Sequence, residues 1–384
     1  VFNSAAAELH CSARAETGAR AKGISLLPGD SAPARDTALD GLRAVAIALV
    51  LVDHGFNVTF TTSYFFAPWS PGPAGVRLFF VLSGFLITGI LLKARDQSDH
   101  TLGIWRAFYA RRTLRIVPLA YAAILVAWIA RVATARESLG WYLGYSSNIL
   151  VASRDHFAAG LGHLWSLAVE EQFYLFWPAV VLWVPRHRLR AVMVGIAIGA
   201  TVIRWVLVSK VDIIAAYVLT PARLDALAWG GVMAVSVHAG QQTPRRLLAG
   251  LGLALCVISW WWSPAGQALV TEPAMIALSA ALIASASAIP RLSRLLSLRP
   301  LVLLGTISYG VYVWHALMPD VGRWIGGLLG VSLPIPDQPG VTYFAFLTTT
   351  ASLVAFVSWR VFEKPLNDLK RYFPYDRRAM ASTE

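Results

Sequence analysis

An arginine and a histidine eleven residues apart, Arg43 and His54, stand in the apolar stretch LDGLRAVAIALVLVDHG. Eleven residues make three turns of an α-helix, so both side chains project from one face, about 16 Å apart along the axis. A charged group at membrane depth costs at least about 2.5–3.5 kcal/mol, which reserves such positions for a polar interior. An imidazole titrates near neutrality and can take a proton from a hydroxyl. A guanidinium can fork onto phosphate oxygens. The plain alternative for this helix alone is an arginine that snorkels to the headgroups and a histidine that caps the other end.

Three further stretches carry groups of the same kind. In FYARRTLRIVP, Arg112 and Arg115 are three apart and share a helical face, while Arg111 points elsewhere. They make a phosphate fork or an ordinary basic anchor. In HLWSLAVEEQFYLFWP, His163, Ser166, Glu170 and Tyr174 recur at three- and four-residue steps and line one stripe, with Glu171 beside it. Two adjacent carboxylates near a membrane helix start are costly unless paired or solvated. Arg223 and Asp225 in PARLDALAWG could be a structural ion pair. His315 ends the run SYGVYVWH, where a lone histidine is more often packed than catalytic.

Apolar helices must position these groups. The 384 residues are 57% hydrophobic and 14% charged, against about 25% charged in soluble domains. Apolar runs recur from Leu39 to Arg360, which predicts an all-α, polytopic integral membrane protein rather than a soluble enzyme with one anchor. The net charge of +12 falls between the apolar runs, as topology requires, and no nucleic-acid motif accompanies it. Cys11 and Cys256 are too few and too scattered for a disulfide framework or a metal site, so no metal is expected.

Taken in order, residues 1–38 read as a polar cytoplasmic tail. A first helix covers about 40–58, an uncharged loop 59–73, and a second helix ends at Lys93. Seven basic residues against two aspartates between Lys93 and Arg115 mark a cytoplasmic loop. A third helix is expected from Ile116 to about Val132. The segment WYLGYSSNILVAS is short and rich in Gly and Ser, which suggests a re-entrant or half-length helix. The following span stops at PRHRLR, and three more apolar pairs follow with basic ends on one side. About ten spans result, in a bacterial inner membrane with both termini cytoplasmic. The membrane domain covers 39–366, and 367–384 form a basic cytoplasmic tail.

These stretches together resemble the bacterial membrane acyltransferase family 3. The resemblance rests on Arg43-x10-His54, FFVLSGFLI at 79–87, Arg112-x-x-Arg115, HLWSLAVEEQFYLFWP at 163–178, RLDAL at 223–227 and SYGVYVWH at 308–315. It covers roughly residues 38–366. It implies an O-acyltransferase that moves an acyl group, acetyl above all, from acyl-coenzyme A to a hydroxyl, mostly on sugars. The acceptors implied are surface polysaccharides, glycolipids, and macrolides or other glycosylated products. Many members carry a fused extracytoplasmic SGNH domain; none is visible in this sequence, so stand-alone transfer is expected.

Under this resemblance, Arg43, Arg112 and Arg115 are expected to hold the donor. His54 is the expected general base, or a nucleophile passing through an acyl-imidazole. Glu170 would orient His54 or the acceptor. His163, Ser166, Glu171, Arg223, Asp225 and His315 are candidates for substrate contact. The partners expected are acyl-coenzyme A (acetyl-CoA), a sugar-hydroxyl acceptor and the lipid bilayer, with no nucleic acid. A proton-coupled transporter or flippase is the alternative class, because ionisable residues inside helices also form ion paths. A catalytically inert scaffold is the third.

Overall fold

The structure, a computed structural model, describes residues 36–58, 70–98, 100–262 and 264–375. The expected N-terminal tail, apart from Asp36 to Ala38, most of the 59–73 loop and the end of the C-terminal tail lie outside the described residues. Among the described residues every regular element is a helix.

Helix α1 (Thr37–Phe56) starts where the Asp36 side chain accepts the Ala38 N–H at 3.1 Å, and stops at Asn57, whose φ of 52° ends the hydrogen-bond ladder. Helix α2 (Pro71–Gln97) opens on a proline, whose missing N–H costs nothing in a first turn. Helix α3 (Thr101–Ile129) corrects the expected start at Ile116. Nothing in WRAFYARRTLR breaks a helix, so it continues past the apolar slab while its long basic side chains reach water. The Arg-rich segment is therefore a helix, not a loop.

Where a half-length segment was expected, three short helices follow: α4 (Ala133–Glu137), α5 (Leu139–Leu143) and α6 (Ser147–Arg154). A 3₁₀ turn (Gly162–Leu164) leads into α7 (Trp165–Trp183). Then come α8 (Arg186–Lys210), α9 (Ile213–Val218), α10 (Thr220–His238), α11 (Arg245–Ser259) and α12 (Pro264–Ala288). Helices α13 (Pro290–Leu296) and α14 (Arg299–Trp314) follow, then a 3₁₀ turn (His315–Leu317) and α15 (Met318–Leu329). Helix α16 (Val341–Ser358) passes through a π turn (Trp359–Glu363) into α17 (Lys364–Asp368) and a last 3₁₀ turn (Leu369–Tyr372).

Six of these helical stretches are long and apolar enough to cross a membrane: 71–97, 101–129, 186–210, 269–288, 299–329 and 341–372. The chain is an all-α, multi-pass membrane protein. About ten spans were expected; the other four of that reading fall on α1, α7, α10 and the 15-residue α11, which are not among these six. Helices α1, α7 and α10 are 20, 19 and 19 residues long, but carry Asp40, Arg43, Asp53, Glu170, Glu171, Arg223 and Asp225. Crossing length with internal charge is a combination lipid does not reward, so these helices need polar surroundings made by the protein.

Helix α1 packs against α2, α14 and α16. At its crossing with α14, a side chain on Gly305 would collide with the Asp40 backbone. The α2–α10 crossing depends in the same way on Gly84 against Leu227 and Gly230 against Val81. Small residues let membrane helices approach to backbone contact.

Buried ion pairs tie the second layer together. Arg77 donates Nε and Nη2 to the two carboxylate oxygens of Glu272 at 2.8 and 2.6 Å, and Arg223 donates Nη1 to the same Glu272 at 2.7 Å. Arg204 donates Nη1 to Asp225 at 2.5 Å. All five side chains are buried. The expected Arg223–Asp225 pair is thereby corrected: positions two apart on a helix face different ways, and each finds its partner on another helix.

Candidate active site

Two cavities meet near the middle of α1. The inner one, about 1020 Å³ counting its open mouth, is lined by Arg43, Arg112 and Arg115 together with Ser83, Ser166, Glu170, Tyr174 and Tyr312. The outer one, about 1370 Å³, holds Asp53, His54, His163, Trp165, Tyr217 and, again, Tyr312. Tyr312 and Val76 line both. The one-face spacing of Arg43 and His54 thus places the two residues in successive chambers.

Five helices, α1, α2, α3, α7 and α14, line the inner chamber, and three of them bring its charged groups. Arg43 comes from α1, where Asp40 one turn earlier accepts its Nη1 at 2.6 Å. Arg112 and Arg115 come from one face of α3, and Ser166, Glu170 and Tyr174 from one stripe of α7. The Arg112 guanidinium sits 5.6 Å from the Tyr174 ring centroid and 5.9 Å from that of Phe108. Its Nε is buried without a hydrogen-bond partner. Among the described residues neither Arg112 nor Arg115 forms an ion pair. The Tyr174 and Ser83 hydroxyls lie 2.5 Å apart. Arg111 turns away, as expected, and donates to the Phe373 carbonyl at 3.0 Å.

In the outer chamber, three histidines far apart in sequence meet. The His315 ring centroid lies 4.8 Å from that of His54 and 4.8 Å from that of His163. Both His163 and His315 sit in 3₁₀ turns, the first at the start of α7 and the second between α14 and α15. Backbone carbonyls can only accept, so each contact fixes a proton. His54 donates Nδ1–H to Val50 at 3.0 Å, His163 donates Nε2–H to Val313 at 3.2 Å, and His315 donates Nδ1–H to Tyr312 at 2.7 Å. In its neutral form each ring has one acceptor nitrogen: Nε2 of His54, Nδ1 of His163 and Nε2 of His315. A base with its lone pair on Nε2 and its other nitrogen anchored is the arrangement general-base chemistry needs. Among the described residues, no group of three or more His, Cys, Asp or Glu has metal-binding geometry.

The same rule fixes the partition between the chambers. The Tyr312 hydroxyl donates its one proton to the His163 carbonyl at 2.5 Å, so Ser166, 2.6 Å away, must donate to Tyr312. The tyrosine is held from two sides, across the line from inner to outer cavity.

The remaining expectations of substrate contact are revised. His315, with 0% exposure, lies behind His54 and His163 and lines neither cavity. Arg223 and Asp225 are committed to buried ion pairs and line neither. Glu171 faces away from both, with one carboxylate oxygen buried and unpartnered. Arg43, His54, Arg112, Arg115, His163, Ser166 and Glu170 do line cavities. Sequence reasoning missed Tyr312 and Asp53, although Tyr312 lies inside the quoted SYGVYVWH string and Asp53 adjoins His54.

Residues 36–360 match the family model described as an acyltransferase domain. The chain is 31% identical over 368 residues to YrhL of Bacillus subtilis (strain 168), covering 85% of this chain and 54% of that protein. It is 30% identical over 379 residues to OatA of Listeria monocytogenes, named a peptidoglycan O-acetyltransferase, covering 87% and 56%. To the O-acetyltransferase OatA of Staphylococcus aureus it is 26% identical, covering 85% and 56%. The chain spans about half the length of these curated relatives. No solved structure matches it.

Proposed function

The chain belongs to the membrane acyltransferase family whose domain it matches, and on that premise we propose that it moves an acetyl group from acetyl-coenzyme A to a sugar hydroxyl. One observation carries the proposal. Arg112 and Arg115, which form no ion pair among the described residues, line with Glu170 a cavity that ends at the Tyr312 partition, and His54 stands on its other side. Guanidinium groups outside protein ion pairs are a natural seat of nucleotide phosphates. The pantetheine arm is thin, extended and uncharged, and the inner chamber suits it. Its thioester then comes up against Tyr312, which must yield for the acetyl group to meet His54.

The chemistry needs few groups. The acceptor hydroxyl gives its proton to His54 Nε2 as its oxygen attacks the thioester carbonyl. The tetrahedral adduct collapses and expels the coenzyme A thiolate, which takes the proton back from His54. Val50 holds the imidazole orientation throughout, and the serine-tyrosine partition keeps bulk water from the thioester. Glu170, beside the arginines rather than beside His54, acts on the donor side.

The acceptor enters from the outer chamber, and its class is a sugar hydroxyl of an envelope glycan, the kind of polymer for which the OatA relative is named. Macrolides and glycolipids present the same hydroxyl chemistry. Positive charge assigns the arginine side to the cytoplasm. With Cys11 and Cys256 replaced by serine, a cysteine at Gln338 is then labelled by an impermeant thiol reagent from outside intact cells, and one at Gln242 is not.

The function is tested by thiol release from acetyl-coenzyme A by the purified protein in nanodiscs. Release that depends on added glycan acceptor supports the enzyme. Substrate flux across a vesicle membrane without thiol release would assign the chain to the transporter class instead.

A further inference from the structure

The chain's last described segment packs against α3, the helix that carries Arg111, Arg112 and Arg115. Helix α16 runs on through the π turn into α17 and the final 3₁₀ turn, and all three of these pack against α3. π turns of this kind often mark functional places. The docking is specific: Arg111 donates to the Phe373 carbonyl at 3.0 Å, and its guanidinium lies 5.0 Å from the Tyr375 ring centroid. The residues expected from sequence to be a loose basic tail are, up to Tyr375, part of this wall.

Lys370 lies in the pinned 3₁₀ turn and is half-buried. Its basic neighbours are satisfied locally, Lys364 by Asp368 at 3.4 Å and Arg371 by the Tyr372 hydroxyl at 2.8 Å. The Lys370 ammonium makes no hydrogen bond or ion pair among the described residues. The 3₁₀ turn that carries it packs on α3, the helix of Arg111, Arg112 and Arg115. Four cations therefore share one wall, and among the described residues none of the four forms an ion pair with a carboxylate. Like charges so placed repel unless an anion of several charges joins them.

We infer that Lys370 binds the ribose 3′-phosphate of the donor nucleotide. The inference rests on the donor assignment above and extends it to a residue outside the cavity. Arg112 and Arg115 line the cavity, and Lys370 does not. A donor whose arm fills the cavity leaves its pyrophosphate on the arginines and its 3′-phosphate outside, at the level of the pinned turn. Phosphate chemistry here could also come from a lipid headgroup, and the test separates the two sources.

The experiment compares the binding of acetyl-coenzyme A and 3′-dephospho-acetyl-coenzyme A to the full chain in phosphatidylcholine nanodiscs. Lys370→Gln should lower acetyl-coenzyme A affinity about tenfold, the loss expected for one charged hydrogen bond, and leave the dephospho donor unchanged. Lys370→Arg should restore most of the loss. Equal losses for both donors, or none for either, overturn the inference. So does a Lys370 effect that appears only when phosphatidylglycerol is added, since it would assign the lysine to lipid. Wild-type protein that binds neither donor would refute the donor assignment itself, a result distinct from failure of Lys370 alone.

Discussion

Two trios of arginines stand inside this protein, and their difference separates scaffold from site. Arg77, Arg204 and Arg223 are fully buried, and each meets a carboxylate on another helix. Arg43, Arg112 and Arg115 line a cavity, and two of the three meet none. By residue type the trios are alike. The first is neutralised by protein and holds helices α2, α8, α10 and α12 together; the second awaits charge from outside. Partnership, not presence, tells an intramembrane arginine's role.

The largest effect should come from breaking the scaffold trio. Glu272→Gln leaves Arg77 and Arg223 buried without their shared anion, a change worth about 3–5 kcal/mol. Folded protein recovered in detergent and its melting temperature should both fall steeply, with or without donor. A variant as stable as wild type would mean that the buried pairs contribute little and that the contrast between trios is mistaken.

The next effect belongs to the site trio. Arg112→Ala and Arg115→Ala should each weaken acetyl-coenzyme A binding by about 1.5–3 kcal/mol, at least tenfold, with the melting temperature unchanged. Loss of stability instead of affinity would place these two residues with the scaffold. Arg43 lies between the classes, because Asp40 already holds it at 2.6 Å. Arg43→Lys keeps the charge and loses the fork, so donor affinity should drop by about 1 kcal/mol, roughly fivefold.

The smallest effect concerns the partition. Tyr312→Phe keeps the ring and removes two hydrogen bonds, each worth about 1 kcal/mol net. Hydrolysis of acetyl-coenzyme A without acceptor should rise as the chambers connect, while donor affinity stays put. Unchanged hydrolysis would show that the tyrosine does not separate the chambers.

How far the sequence reached follows from the range of each signal. Membrane class, the shared face of Arg43 and His54, the α7 stripe and the outward turn of Arg111 are properties of single helices, and periodicity carries them. The start of α3 was missed because hydropathy marks the edge of lipid, not the end of a helix. Arg223 and Asp225 were paired wrongly because their partners, Glu272 and Arg204, are 49 and 21 residues away in sequence. The three histidines looked unrelated because His54 and His315 meet only when α1 packs against α14. Lys370 reads as one more positive charge in a tail, because its packing on α3 is a contact between residues far apart in sequence.

The central claim is that His54 performs the transfer step while the arginines hold the donor, so the two functions separate in one variant. Single-turnover thiol release by His54→Ala, saturated with acetyl-coenzyme A and supplied with glycan acceptor, tests this most directly. The account predicts wild-type donor affinity and a release rate lower by about 10²–10⁴-fold, the contribution of a positioned general base. Release at the wild-type rate from a well-folded His54→Ala protein would contradict it.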